Sequence, residues 1–222
     1  MADAIKEFVT KCPLVPESIA LVVIDLQYAS ASRTTGYGRW LRERSREQEG
    51  TYRFDRIERM VVPNTQQLLQ FFRSHGLAIL FVKLGSQVHD FGDLVPYIRT
   101  LEKEFQNRKG NREFEILDEI APAEGEPVLV KVSASAFNSS NLDAVLKNRS
   151  LSQLVCVGVS TSQCVDLTAR DAADRGYDVV IVEDAVAEDS PEHHEATLEQ
   201  FERLFGQVMT AKEVIKELRR AI

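Results

Sequence analysis

Three ionisable residues, Asp25, Lys131 and Cys164, follow apolar runs in this chain. "IALVVID" (19–25) closes on Asp25, "PVLVK" (127–131) closes on Lys131, and "LVCVGV" (154–159) leads through Ser160, Thr161, Ser162 and Gln163 to Cys164. Taken singly each has a plain reading: the aspartate as a turn former, the lysine as a solvated strand end, the cysteine as a small apolar side chain. Taken together they are the parts of nucleophilic acyl transfer, in which a base removes a thiol proton and a cation favours the anionic forms. With Thr161 as N-cap, Cys164 falls at the third helical position, where unpaired N–H groups and the helix dipole favour an anion. An acidic thiol is therefore expected, and the same N–H groups are placed to receive the oxyanion of a tetrahedral intermediate. Cys156, inside an apolar strand, reads as a small hydrophobe, and Cys12 belongs to a flexible-looking N-terminal segment. Neither is expected to be catalytic.

These residues need a scaffold that brings strand ends together. The runs at 19–25, 77–84, 127–131, 154–159 and 178–184 are continuously apolar rather than alternating, which predicts parallel strands buried on both faces. Between the first two, Ile57, Met60, Val61, Leu68, Phe71 and Phe72 keep helical spacing, and "SHG" (74–76) supplies a stop. Residues 161–176 read as a helix with Val165, Ala169, Ala172 and Ala173 on one face. Residues 190–206 read as another, followed by a short "QVM" strand and a last helix. The fold class expected is α/β, three-layered α/β/α, with a doubly wound and mainly parallel six-stranded sheet forming one domain over 1–222. In such sheets ligands bind beyond the carboxyl ends of the strands, where Asp25, Lys131 and Cys164 fall. Two insertions, near 28–55 and 85–126, break the rhythm, and each is read either as a lid or subunit contact or as a solvated loop. Tyr37, Arg39 and Trp40 lie in the first.

Composition restricts the partners. A formal charge of −7 offers no attraction to nucleic acid or to an anionic membrane. Three cysteines without C-x-x-C spacing argue against a disulfide framework and a structural zinc site, so a cytoplasmic setting is expected. "MADAIKEFVTKCPLVP" has no long apolar core, and no run is long enough to span a bilayer. No Gly-rich phosphate loop follows the first strand.

The chain resembles the isochorismatase-like cysteine hydrolase superfamily from about residue 19 onward. The resemblance is carried by "VVIDLQ" (22–27), "VKVSASAFNSSNLDAVL" (130–146), "GVSTSQCVDLTARDAADRGYDVVIVEDAVA" (158–187) and the later "HHEATLEQF". It implies Asp25, Lys131 and Cys164 as the catalytic triad, and a cis peptide between Val159 and Ser160 that turns the Ser160 N–H toward the oxyanion beside that of Cys164. Ser160 stands where many relatives carry alanine. The resemblance further implies a small-molecule substrate, no organic cofactor and no metal, and self-association as a dimer or tetramer.

Substrate choice is narrower by exclusion. "SQVHDFGDL" (86–94) lacks the Asp-x-His arrangement of the metal-dependent nicotinamidases, and His193 and His194 read as solvated residues of a surface helix. Close relatives of isochorismatase proper lack the nucleophilic cysteine. An amide, carbamoyl or ureide C–N hydrolase is the reading, with a non-catalytic scaffold of the same fold, or a nicotinamidase-type or isochorismatase-type hydrolase, as the alternatives. Gln27, Phe137 and Gln163 are the candidate substrate contacts, set against plainer roles in loop hydrogen bonding, core packing and solvation.

Overall fold

The computed structural model describes residues 11–222, so the first ten residues of the N-terminal stretch read above lie outside the described residues. Six strands form one sheet: β1 (Ile19–Ile24), β2 (Ala78–Leu84), β3 (Val128–Lys131), β4 (Gln153–Val159), β5 (Asp178–Ala187) and β6 (Gln207–Met209). Ten α-helices accompany them among the described residues. These are α1 (Tyr28–Ala31), α2 (Gly36–Arg42), α3 (Thr51–Arg56), α4 (Val62–Ser74), α5 (Pro96–Glu104), α6 (Ala136–Ser139), α7 (Leu142–Asn148), α8 (Asp166–Asp174), α9 (Pro191–Leu204) and α10 (Ala211–Ala221).

The strand order is β3-β2-β1-β4-β5-β6 and every pairing is parallel. The chain winds outward from β1 in one direction and from β4 in the other, so the crevice of this doubly wound sheet opens between those two strands. All six residues of β1 and all seven of β4 are buried, which explains their unbroken apolar sequence. Alternation still decides which face each side chain serves. Ile19, Leu21 and Val23 pack with Leu68 and Phe72 of α4 and Val214 and Leu218 of α10. Ala20, Val22 and Ile24 pack with Leu142 and Leu146 of α7, Ala169 and Ala172 of α8, and Phe201 of α9. Two cores on opposite faces make the expected three layers, each fully buried aliphatic side chain contributing roughly 1.5–3 kcal/mol.

Both insertions differ from loops. The first folds into α1, α2 and α3, and α3 runs through a π-helical turn (Ile57–Val61) into α4, burying Leu41 and Phe54. The helix expected from Ile57 onward thus begins at Thr51, and Pro63 falls where the π-helical turn passes into α4. The second insertion contributes α5. Trp40 of α2 donates from Nε1 to Glu104 Oε2 at 3.2 Å, and Arg39 donates to the Glu104 carbonyl at 3.0 Å. The two insertions therefore pack against each other. No helix among the described residues is long and apolar enough to cross a membrane.

Candidate active site

Asp25 follows the last residue of β1 in the left-handed region, at φ 53°. A non-glycine residue holds that conformation only where its surroundings fix it. Here its N–H donates to the Val82 carbonyl (2.9 Å), and its own carbonyl accepts from the Gln27 N–H (2.8 Å) and the Ser30 hydroxyl (2.6 Å). The neighbouring strand must come unusually close. Gly158, paired with Ile24, lies at φ 133°, and a Cβ there would fall 1.9 Å from the Ile24 carbonyl oxygen. Only glycine lets the end of β4 sit against the end of β1.

Beyond Gly158 the Val159–Ser160 peptide is cis. Ser160, in extended conformation, caps a π-helical turn, Thr161–Val165, that continues into α8. The N-cap is therefore Ser160 rather than Thr161, and Cys164 stands one position further into the helix than the sequence spacing indicates. The Ser160 carbonyl accepts from both Gln163 N–H (3.1 Å) and Val165 N–H (3.2 Å), a widened turn of the kind found at functional sites. Among the described residues, no backbone carbonyl accepts from the Ser160 N–H.

Asp25, Lys131 and Cys164 meet at the crevice. Lys131 at the end of β3 is wholly buried and reaches past β2, placing Nζ 2.7 Å from Asp25 Oδ2, 3.2 Å from Cys164 Sγ and 3.2 Å from the Ser133 carbonyl. Lys131 Nζ and the Cys164 thiol are the neighbours of the Asp25 carboxylate. Burial raises the Asp25 carboxyl, and Lys131 offsets part of that rise. Burial opposes charge on Lys131 as well, but the adjacent Asp25 and Cys164 outweigh it and hold the ammonium above its ordinary range.

The Cys164 thiol is pushed up to about 12, by burial first, with Lys131 lowering it and Asp25 raising it. This corrects the expected acidic thiol. Desolvation and a carboxylate neighbour exceed what the ammonium and the helix turn supply, so the resting group is a neutral thiol. Cys156 is buried and raised to about 12 by burial alone. Cys12 is partly exposed.

A cavity of about 240 Å³ opens over Asp25 and Cys164, small enough to call for a small substrate. Its wall includes Tyr37, Arg53, Glu102, Asn107, Ser160 and Gln163. Gln163 is exposed at this wall, but the other two candidate substrate contacts are differently employed. Gln27 spends its amide inside the protein: Nε2 donates to the Leu84 and Phe114 carbonyls (each 2.9 Å) and Oε1 accepts from Leu84 N–H (2.8 Å). It ties the Asp25 loop to the end of β2 from its place in the cavity wall, with both Nε2 hydrogens spent inside the protein. Phe137 packs against the Tyr177 ring at 5.7 Å and beneath Arg175, away from the residues that line the cavity.

Sequence reading missed Arg53 and Glu102, which lie in the insertions and carry no local signal beyond charge. Arg53 is 4% exposed and donates from Nη1 to Ser160 Oγ at 2.7 Å. Glu102 is buried, accepts from Asn107 Nδ2 at 2.6 Å, and is raised to about 7 by burial. His194 also departs from expectation. It is buried, with Nδ1 3.0 Å from Thr161 Oγ1 and Nε2 3.0 Å from Arg56 Nη2. Arginine cannot accept, so Nε2 accepts and Nδ1–H donates to Thr161, fixing the turn that carries Cys164. Burial lowers His194 to about 4, keeping it neutral. None of the four histidines lines the cavity.

The isochorismatase domain model matches residues 19–213. A secreted isochorismatase effector of Verticillium dahliae is 30% identical over 172 residues, covering 75% of this chain and 83% of that protein. The ureidoacrylate amidohydrolase of Caulobacter segnis is 30% identical over 213 residues, covering 89% of this chain and 84% of that protein. The crystal structure of N-carbamoylsarcosine amidase from Thermoplasma acidophilum superposes with a TM-score of 0.65 at 26% identity, covering 87% of this chain and 96% of that one.

Proposed function

Because the chain belongs to the isochorismatase family of hydrolases, we propose that it cleaves the C–N bond of a small carbamoyl, ureide or amide substrate, with Cys164 as nucleophile. The observation that carries this reading is the mutual contact of Lys131 Nζ with Asp25 (2.7 Å) and Cys164 (3.2 Å) beneath a small cavity. The similarity to a ureidoacrylate amidohydrolase and an N-carbamoylsarcosine amidase supports the choice of bond.

The steps follow from the charges. Asp25 accepts the Cys164 proton as sulfur forms a bond to the substrate carbonyl carbon, and the carbonyl π pair moves onto oxygen. The Ser160 and Cys164 N–H groups receive that oxyanion, each such donor supplying roughly 3–4 kcal/mol where one has been removed from other enzymes. Collapse breaks the C–N bond, and Asp25 returns the proton to the departing nitrogen. A thioester or thiocarbamate is left on Cys164. Asp25 then takes a proton from water, the hydroxide adds to the carbonyl carbon, and the C–S bond breaks with the proton restored to sulfur. Lys131 stays charged throughout and offsets part of the rise that burial imposes on the Asp25 carboxyl.

The test is ammonia release from biuret, triuret, ureidoacrylate, N-carbamoyl amino acids, nicotinamide and aliphatic amides by wild type and Cys164→Ala. Turnover of a carbamoyl or ureide compound that falls at least a thousandfold in the variant is the expected result. Equal activity in the two proteins removes Cys164 from the mechanism. In a separate assay that follows pyruvate release from isochorismate, cleavage that survives in Cys164→Ala would assign the chain to the vinyl-ether branch instead. Silence on all of these compounds would favour a scaffold of the same fold.

A further inference from the structure

We propose that Arg53 is a specificity-determining anion anchor, and that the substrate is a ureido acid whose carboxylate it binds; this rests on the carbamoyl reading above and names the substrate class within it. Among the described residues that line the cavity, Arg53 is the single lysine or arginine, facing the carboxylates Asp25, Glu102 and Asp189. A guanidinium carries five N–H donors and is always charged. Three are engaged: Nε donates to the Ser30 carbonyl (3.1 Å), and Nη1 donates to Ser160 Oγ (2.7 Å) and Asp189 Oδ1 (3.3 Å). Nη2 makes no hydrogen bond among the described residues. A side chain that is 96% shielded from solvent thus keeps two donors unspent on a cavity wall, and its one carboxylate partner is 45% exposed.

That arrangement is incomplete by itself. A buried cation is stable when its charge is matched and its donors are used, and a ligand carboxylate does both through the planar fork. The position also sets a length. Arg53 touches the hydroxyl of Ser160, the residue whose N–H is assigned to the oxyanion, so the bound carboxylate lies only a short spacer from the scissile carbonyl. An N-carbamoyl α- or β-amino acid has that spacing; biuret, a neutral molecule, leaves the fork empty. Tyr37, 5.8 Å from the guanidinium carbon and raised by burial, stays a neutral phenol beside it.

Equilibrium binding to Cys164→Ala protein tests this with three probes: N-carbamoylglycine, its neutral amide, and butanoate, a carboxylate of similar length without a ureide. The expected result is at least tenfold tighter binding of N-carbamoylglycine than of the amide. Arg53→Gln erases the difference between acid and amide, and Arg53→Lys restores part of it. Asp189→Asn, which removes the competing carboxylate, tightens N-carbamoylglycine severalfold, a gain that a merely structural role of Arg53 would not produce. Equal affinity for acid and amide, an advantage that persists in Arg53→Gln, or no binding of either anion overturns the proposal. Arg53-dependent binding of butanoate with no benefit from the ureide keeps the anion anchor and removes the carbamoyl reading.

Discussion

Lys131 and Asp25 are each costly to bury, and each makes the other tolerable. The cost of an isolated buried ion is several kcal/mol, and the 2.7 Å contact offsets it only while both partners are present. Lys131→Met should therefore destabilise the protein by about 3–5 kcal/mol and abolish activity, because a lone Asp25 carboxyl rises further and stops acting as a base. Adding Asp25→Asn to Lys131→Met should recover part of the stability and none of the activity. Urea unfolding of the two single variants and the double variant measures the coupling, and strictly additive losses would show that the pair is not interacting.

Glu102 presents the opposite case, a buried carboxyl whose shift is set by burial, with Lys131 lowering it only weakly and no cation bonded to it. Its folded value of about 7 lies above an ordinary 4.5, so the folded state holds a proton that the unfolded chain has lost. Its contribution is fully present below pH 4.5 and disappears as pH rises through 7, a loss of about 3 kcal/mol at most. Glu102→Gln keeps an acceptor for Asn107 and has no charge to desolvate, so it should be more stable than wild type at pH 8 and indistinguishable at pH 4. Thermal unfolding across pH 4–8 checks the sign, and a variant less stable at pH 8 would place a compensating cation near Glu102.

At the scale of elements, the site depends on how closely β4 approaches β1. The positive φ of Gly158 and the 1.9 Å approach of a hypothetical Cβ to Ile24 O mean that any side chain must push the two strand ends apart. Gly158→Ala is expected to cost about 3 kcal/mol from strain and overpacking combined, and to reduce kcat more than it raises KM, since Asp25 and Cys164 are the groups displaced. Strands were the most legible part of the sequence because double burial writes itself as unbroken apolar runs, and Asp25, Lys131 and Cys164 could be placed at their ends from that pattern alone. The N-cap was misplaced by one residue, since the widened turn after Ser160 is held by the packing of His194 against Thr161, a contact from a distant helix that has no local sequence signature. The thiol's character was misjudged for a related reason: helix position is readable from spacing, whereas desolvation depends on everything that covers Cys164.

At the scale of the whole molecule, the sheet supplies the surroundings of Cys164 and the two insertions wall the cavity above it. Arg-rich and polar composition made 28–55 and 85–126 read as loops, yet Tyr37, Phe54 and Phe105 interlock, with ring centroids 5.9 Å and 5.3 Å from Tyr37. Their outer seam is polar: Trp40, Arg39 and Arg44 all reach Glu104 at the end of α5. Exposed ion pairs contribute only about 0–1 kcal/mol to global stability, so Glu104→Ala should shift urea unfolding little. Local opening is a different matter, because few contacts hold α2 to α5 besides this seam and the aromatic cluster beneath it. Glu104→Ala is expected to raise KM severalfold with kcat nearly unchanged, to accelerate amide exchange in residues 36–42 ahead of the sheet, and to alter Trp40 fluorescence. Exchange that stays uniform across insertions and sheet would mean that the cavity wall opens only with the fold itself, and binding would then meet a preformed cavity rather than one closed by α2 and α5.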